Sequence, residues 1–355
     1  MMPGMKLTFG MIAAIAAALL TIAMLSTFER PPTTYVQRGY RGLAMVEDYN
    51  PRLVADYLAN NKLPSVLPPL PAAGPKAGVI YKNVQVLGGL SVGQFTRLMA
   101  SITTWVAPVQ GCAYCHNTEN MASDGLYTKV VARRMIQMVQ HINSDWKQHV
   151  DGTGVTCYTC HRGQPVPAYI WFNDPGPPHS EFLGTVGKNY ANGVAGDASL
   201  PYDPFTPFLE KDYGIRVQGT TALPTGNRQS IKQTDWTYAL MFHFSSSLGV
   251  NCTYCHNSRD FSDWSQSTPQ RVTAWYGIRM VRDLNNDYLD KLHDVFPAAR
   301  LGPLDDSPKV NCMTCHQGVY KPLLGAKVLV GFPELAGPVP PATPPAAAAP
   351  AAPKP

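Results

Sequence analysis

Charge is scarce in this chain: Asp, Glu, Lys and Arg make up only 15% of its 355 residues. The net charge of +5 is not gathered into a basic run, so the sequence offers no footing for a nucleic-acid partner and reads as an ordinary solvated surface. No cysteine lies near the end of the long apolar stretch from Leu7 to Phe28, which excludes an amino-terminal lipoprotein anchor. A clear Ala-x-Ala cleavage site is lacking too, and the stretch is long for a signal peptide. Flanked by Lys6 and by Glu29-Arg30-Pro31-Pro32, it has the length to span a bilayer. The expectation is an uncleaved anchor over 1–30, with a cytoplasmic amino terminus and everything that follows outside the inner membrane.

Cysteine is absent everywhere except in four pentapeptides: Cys112-Ala-Tyr-Cys115-His116, Cys157-Tyr-Thr-Cys160-His161, Cys252-Thr-Tyr-Cys255-His256 and Cys312-Met-Thr-Cys315-His316. Adjacent pairs of this kind would close only tiny disulfide loops, which argues against a disulfide framework. Half a zinc site is the other bland reading, but a histidine follows all four pairs directly. In Cys-x-x-Cys-His the two thiols form thioether bonds to the vinyl groups of a haem, and the imidazole becomes an axial ligand of its iron. The chain therefore reads as a tetrahaem c-type cytochrome with four covalently bound haem c groups, placed in the bacterial periplasm where such haems are attached.

What is abundant fits that reading. The 33 prolines and 29 glycines imply long irregular connections between short helices, suited to wrapping cofactors that replace side-chain bulk in the interior. The expected fold class is mainly α with extensive irregular loops, built from duplicated two-haem units, plus the amino-terminal transmembrane helix. Between the second and third motifs, Gly163 to about Arg228 reads as a structured connector anchored by Trp171, Phe172, Tyr190, Tyr202, Phe205 and Phe208. From Pro333 to Pro355 a proline- and alanine-rich tract reads as a tail. The haem domain is expected over 31–332, with an internal repeat about 85–165 and 228–320.

The repeat is visible in the motifs. The first and third share Tyr114/Tyr254 and Asn117/Asn257, and the second and fourth share Thr159/Thr314 and Gly163/Gly318. Such odd and even alternation is what duplication of a two-haem unit leaves. Upstream, Leu98-Met99 corresponds to Leu240-Met241, and Ala132 to Trp146 parallels Ala274 to Tyr288. These segments read as helices: Ser91-Val-Gly-Gln94 resembles a capping box opening the helix that carries Met99, and Thr234-Asp235 is placed to cap the one carrying Met241.

A methionine in a helical stripe is usually core, but here each iron needs a sixth ligand, and a helix upstream of each motif can lay a thioether over a haem face. Met138 aligns with Met280 and Ile142 with Leu284, so those positions read as packing. Met135 aligns instead with Gly277, so the fourth unit lacks the methionine of the second. Its iron must find another ligand among His141, His149, His179, His243 and His293, and the residues alone leave that choice open.

With these residues in place, the chain resembles the tetrahaem cytochrome subunit of purple-bacterial photosynthetic reaction centres over roughly Tyr35 to Gly331. The resemblance is carried by the two-haem repeat and by Ala132-Arg-Arg-Met-Ile-Gln-Met-Val139 leading to Gly154-Val-Thr-Cys-Tyr-Thr-Cys-His-Arg-Gly163. It is also carried by Cys252-Thr-Tyr-Cys-His-Asn257 with Asp263-Trp-Ser-Gln-Ser-Thr-Pro269. It implies three haems with His/Met ligation and one with two histidines, assigned by motif position as His116/Met99, His161/Met135, His256/Met241 and His316/His149. It further implies one elongated domain with a local two-fold and a near-linear haem row, the third haem nearest the bacteriochlorophyll special pair, then the fourth, second and first. Implied partners are the reaction-centre L, M and H subunits, the light-harvesting complex, the membrane, and a soluble cytochrome c or high-potential iron-sulfur protein as donor. Many family members carry a lipidated amino-terminal cysteine; this chain does not, so attachment rests on the helix.

Two other functions compete. A membrane-anchored tetrahaem quinol dehydrogenase also has an amino-terminal span, but such proteins rely on bis-histidine or open haems and are much shorter. A multihaem nitrite or hydroxylamine converter needs an open iron, and there is no Cys-x-x-Cys-Lys motif or fifth haem motif to mark one. The chain is expected to be an electron carrier and not an enzyme.

Overall fold

Helix formers without charge dominate the first segment, and α1 (Pro3–Thr27) runs through all of it. Its 25 residues rise about 37 Å at 1.5 Å each, more than the roughly 30 Å of a bilayer core. The apolar side chains from Phe9 to Phe28 are exposed and bury against nothing else among the described residues, so α1 is a candidate membrane anchor. The computed structural model describes residues 3–28, 34–37, 46–174, 176, 200–215 and 231–341. His179, Tyr190, Arg228 and the tract from 342 onward lie outside the described residues.

After α1 comes a two-stranded antiparallel ribbon, β1 (Thr34–Gln37) and β2 (Val46–Tyr49), with Thr34 opposite Tyr49 and Gln37 opposite Val46. The remainder is helical: α2 (Pro51–Asn60), α3 (Ala77–Ile80), α4 (Val92–Val106), α5 (Tyr127–Asp145), α6 (Lys147–Val150) and α7 (Cys157–His161). Then follow α8 (Ile231–Leu248), α9 (Pro269–Asp283) and α10 (Cys312–His316). Short turns and long loops join them. This is the mainly α, loop-rich architecture expected, with the small ribbon as an addition.

Local chemistry sets the helix ends. Ser91 and Gln94 form the expected capping box on α4, the hydroxyl accepting from the Gln94 N–H and the Gln94 amide oxygen from the Ser91 N–H. The corresponding expectation for α8 needs correcting, because α8 begins at Ile231 and Thr234-Asp235 lies inside the helix, at its fourth and fifth residues. The positive end of the helix dipole favours acidic residues near a helix start, so the signal marks the neighbourhood of the start and not its first residue.

The core draws its side chains from α4, α5, α8 and α9. Leu98 and Leu240 are fully buried at equivalent places on α4 and α8, and Met138, Ile142, Met280 and Leu284 are buried on α5 and at the end of α9. Each large apolar side chain so buried contributes on the order of 1.5–3 kcal/mol. Trp171, Phe205 and Phe208 join this core from the connector.

The folded region extends past the expected boundary at 332. Leu335 is fully buried, and Glu334 pairs with Arg97 at 3.3 Å with both side chains almost wholly covered. Arg97 also donates to the carbonyls of Leu67 and Gly331 and lies over the Phe332 ring. A proline-rich composition hid this, because one aromatic, one leucine and one paired acid suffice to pin a strap.

Several hydrogen bonds of one half recur in the other. Asn143 donates to the Val155 carbonyl and accepts from its N–H, while Asn285 does the same with Val310. Thr128 donates to the Tyr114 carbonyl and Thr268 to that of Tyr254. The Gly163 N–H reaches the Trp105 carbonyl and the Gly318 N–H that of Ser247, both at 2.8 Å. Both glycines have φ near +83°, a backbone conformation that a Cβ disfavours.

Candidate haem-binding sites

A three-residue separation on a helical turn brings two side chains to one face, which is why Cys-x-x-Cys can grip one flat cofactor from one side. The second and fourth motifs are the single-turn helices α7 and α10, opened by Thr156/Thr159 and Asn311/Thr314 capping boxes and closed by left-handed Arg162 and Gln317. The first and third are tighter 3-10 turns, Gly111–Tyr114 and Cys252–Tyr254. In both, the histidine N–H donates to the carbonyl of the first cysteine at 3.0 Å, holding the imidazole beside the thiol pair.

Each motif histidine is then oriented by a main-chain carbonyl. Nδ1 faces the carbonyl of Met121 for His116 (3.2 Å), Gln164 for His161 (2.8 Å), Phe261 for His256 (2.9 Å) and Val319 for His316 (3.0 Å). A carbonyl only accepts, so Nδ1 carries the proton and Nε2 keeps its lone pair, the tautomer an axial ligand needs. The acceptor lies five residues on in the odd motifs and three on in the even ones, another mark of repetition. Burial pushes His161, His256 and His316 down, His316 to about 4, so these imidazoles stay neutral at physiological pH.

His149, at the end of α6, shows the same pattern. Its Nδ1 donates to the Thr273 carbonyl on α9 at 2.9 Å, and burial lowers its pKa. Its ring centroid lies 6.0 Å from that of His316, with planes at 67°. Two imidazoles on opposite sides of one metal, each bound through a nitrogen about 2 Å away, have centroids roughly 6 Å apart, whatever the angle between their planes. Gly277 makes this approach possible: a Cβ there would lie 2.6 Å from Cε1 of His149.

Two of the other described histidines, His141 and His293, are engaged at both nitrogens. His141 meets Asp145 through Nδ1 at 2.7 Å and Asp283 through Nε2 at 2.6 Å. His293 lies between Asp294 and the Asp305 carbonyl. His243 is buried against Phe205 with Ser247 Oγ near both ring nitrogens, and burial holds it neutral, near pKa 3.

A cavity of about 900 Å³ joins the even motifs, reaching Cys157, Cys160 and His161 on one side and Cys312, Cys315 and His316 on the other. Met135 and His149 also face it. Met99, Met135 and Met241 are half-buried against the core, whereas Met138 and Met280 are buried within it. Burial pushes the Cys157 and Cys312 thiols up to about 12, unfavourable to the thiolates of a zinc site, and no metal-binding cluster occurs among the described residues. An apolar cavity, paired thiols and neutral imidazoles with a free Nε2 fit haem c.

The even motifs touch: Arg162 donates to the Cys315 carbonyl, the Asn60 carbonyl and Asn61 Oδ1. Asn61, fully buried, also donates to Gln317 O. On the outer sides, Tyr254 packs on Tyr320 at 5.6 Å, and α4 meets α7 through Trp105 and Gly163. Sequence reasoning overlooked Arg162 and Asn61; the change from Arg162 to Gln317 at equivalent places was the available signal.

Fold and site together define a multihaem c-type cytochrome. More narrowly, the chain belongs to the photosynthetic reaction-centre cytochrome c subunit family: the family described as "Photosynthetic reaction centre cytochrome C subunit" matches residues 29–336. Reaction-centre cytochrome c subunits of Rubrivivax gelatinosus and Thermochromatium tepidum are 54% and 51% identical to it, over 91% and 94% of this chain and 89% and 82% of theirs. A cytochrome c-554 of Chloroflexus aurantiacus is 33% identical over half of each chain. The chain thus carries covalent haem c, associates with a reaction centre and serves as its electron donor, in keeping with a photosynthetic membrane.

Proposed function

We propose that the chain holds four haem c groups, one on each motif, with the ligand pairs His116/Met99, His161/Met135, His256/Met241 and His316/His149. When bound, the haems supply one-electron ferric/ferrous chemistry. The protein orients Nε2 of each motif histidine through its Nδ1 hydrogen bond, and its methionines favour ferrous iron relative to a second imidazole. With every sixth position filled, no iron is open to substrate. His149 takes that position in the fourth unit because Gly277 stands where the second unit has Met135.

The two-haem repeat, about 85–165 and 228–320, places its even motifs side by side with an odd motif beyond each. This supports a row in the order first, second, fourth, third. The third motif would face the special pair held by the L and M subunits, with the H subunit and light-harvesting complex nearby. The first would receive electrons from a soluble cytochrome c or high-potential iron-sulfur protein. An uncleaved α1 would hold the array on the periplasmic face, ahead of a Pro/Ala-rich carboxyl tail.

The observation that carries the ligand assignment is the imidazole pair His149 and His316 beside Gly277. Family membership favours this role over quinol oxidation. The test is flash-induced absorbance on native membranes: haem oxidation should follow photo-oxidation of the pigment dimer and re-reduce it. Flashes that never oxidise these haems would end the proposal.

A further inference from the structure

Lys129 is 7% exposed, an unusual place for an ammonium, and it lies two residues into α5. Its Nζ donates to the carbonyls of Met121 and Ser123 at 2.9 and 2.8 Å, with Asp124 at 3.3 Å. The Met121 carbonyl is the one that receives His116 Nδ1–H. One oxygen therefore serves both a buried cation and the proximal histidine of the first motif. That histidine bond is 3.2 Å, against 2.8–3.0 Å for the other three motif histidines and for His149.

The third unit shows the alternative. Arg271 takes the corresponding place on α9, and its guanidinium donates to the carbonyls of Ser262 and Asp263 and stacks on Trp264. His256 meets the Phe261 carbonyl at 2.9 Å. Both odd units pin the post-motif loop with a cation, but in the first that cation sits on the histidine's own acceptor.

A strong Nδ1–H···O bond pushes electron density onto the imidazole and favours ferric iron, so drawing the acceptor toward an ammonium favours ferrous iron. The positive charge acts in the same direction, opposed in part by the Asp124 carboxylate 3.3 Å away. We infer that Lys129 is a tuning residue that raises the reduction potential of the haem on Cys112 and Cys115 by sharing the Met121 carbonyl with His116. The inference rests on the ligand assignment given above.

The test is a redox titration of the reaction-centre complex carrying Lys129→Met, Lys129→Gln or Lys129→Arg. One of the four midpoints should fall in Lys129→Met, fall less in Lys129→Gln, which keeps a donor without charge, and return in Lys129→Arg. Electron paramagnetic resonance of the unaltered complex reports His/Met ligation separately, so an error in ligand assignment would appear there and not in the variants. If Lys129→Met fails to assemble, Lys129→Gln against Lys129→Arg decides the matter. Four unmoved midpoints, or an upward shift, would overturn the inference.

Discussion

Gly277→Ala is the smallest change that tests the fourth haem site. The glycine lies inside α9, and its φ is not positive, so an alanine meets no backbone objection. Replacing an interior helical glycine by alanine is worth roughly 0.5–1 kcal/mol in favour of the helix. Space is the difficulty: the new methyl would sit 2.6 Å from Cε1 and 2.9 Å from Nδ1 of His149, whereas ordinary contact begins at 3.4 Å. The imidazole must retreat by 0.8 Å, the difference between those values. A metal–imidazole bond is only about 2 Å long and does not survive such a stretch. Overpacking of this kind costs about 1–3 kcal/mol, so the net loss of stability lies between about 0 and 2.5 kcal/mol and thermal melting alone cannot decide. Ligation can. The variant is expected to lose its bis-histidine electron paramagnetic resonance signal while the three His/Met signals persist. An unchanged bis-histidine signal with an unchanged set of midpoints would refute the reasoning.

Met99→His, Met135→His and Met241→His should each lower one midpoint in a redox titration, because a second imidazole favours ferric iron over a thioether. Glu334→Ala should destabilise the domain by about 3–5 kcal/mol in denaturant unfolding, since it strands Arg97 in an almost fully covered site. Asp124 is held well below the usual carboxylate range, chiefly by Arg133 and then Asn83. Its stabilisation is therefore present above its unfolded pKa near 4 and is lost as pH falls toward the folded value. Because its side chain is 39% exposed, the effect should be under about 1 kcal/mol, read as a melting-point gap between wild type and Asp124→Asn that narrows from pH 7 to pH 3.

The site was more legible than the fold. Thioether attachment demands a fixed pentapeptide, so the four motifs stand in the sequence as they stand in space. The substitution of Gly277 for Met135 could be read by aligning the halves, though its physical meaning could not: only the structure brings His149, far away in the chain, against that glycine. The Nδ1 acceptors were invisible because a main-chain carbonyl is the same in every residue. The ribbon of β1 and β2 was missed because two four-residue strands carry too short a pattern to separate from loop. Phe332 and Leu335 were lost in proline-rich composition, where average polarity says nothing of two anchoring side chains.

The contact between halves also bears on how two alike units become unlike. On our reading of the repeat, which pairs Met138 with Met280 and Asn143 with Asn285, His141 corresponds to Asp283. These two meet each other at 2.6 Å, and Trp146, the counterpart of Tyr288, donates to the same Asp283. His141 stacks in turn on Tyr288. Equivalent residues in contact are what an axis of local two-fold symmetry produces, and at such an axis identical side chains would oppose like with like. A histidine facing an aspartate, and a tryptophan donor facing an acceptor, replace that self-pairing with a complementary one. The asparagine clamps and threonine bonds, which lie off the axis and work within one half, stayed the same in both. Difference was introduced where the halves touch and where the iron ligand is chosen, and each such change depends on a neighbour in the other half. On the ligand pairing proposed above, His149 carries this furthest: it follows the α5 helix of the first half and would complete a site of the second, so neither half would form that haem site alone.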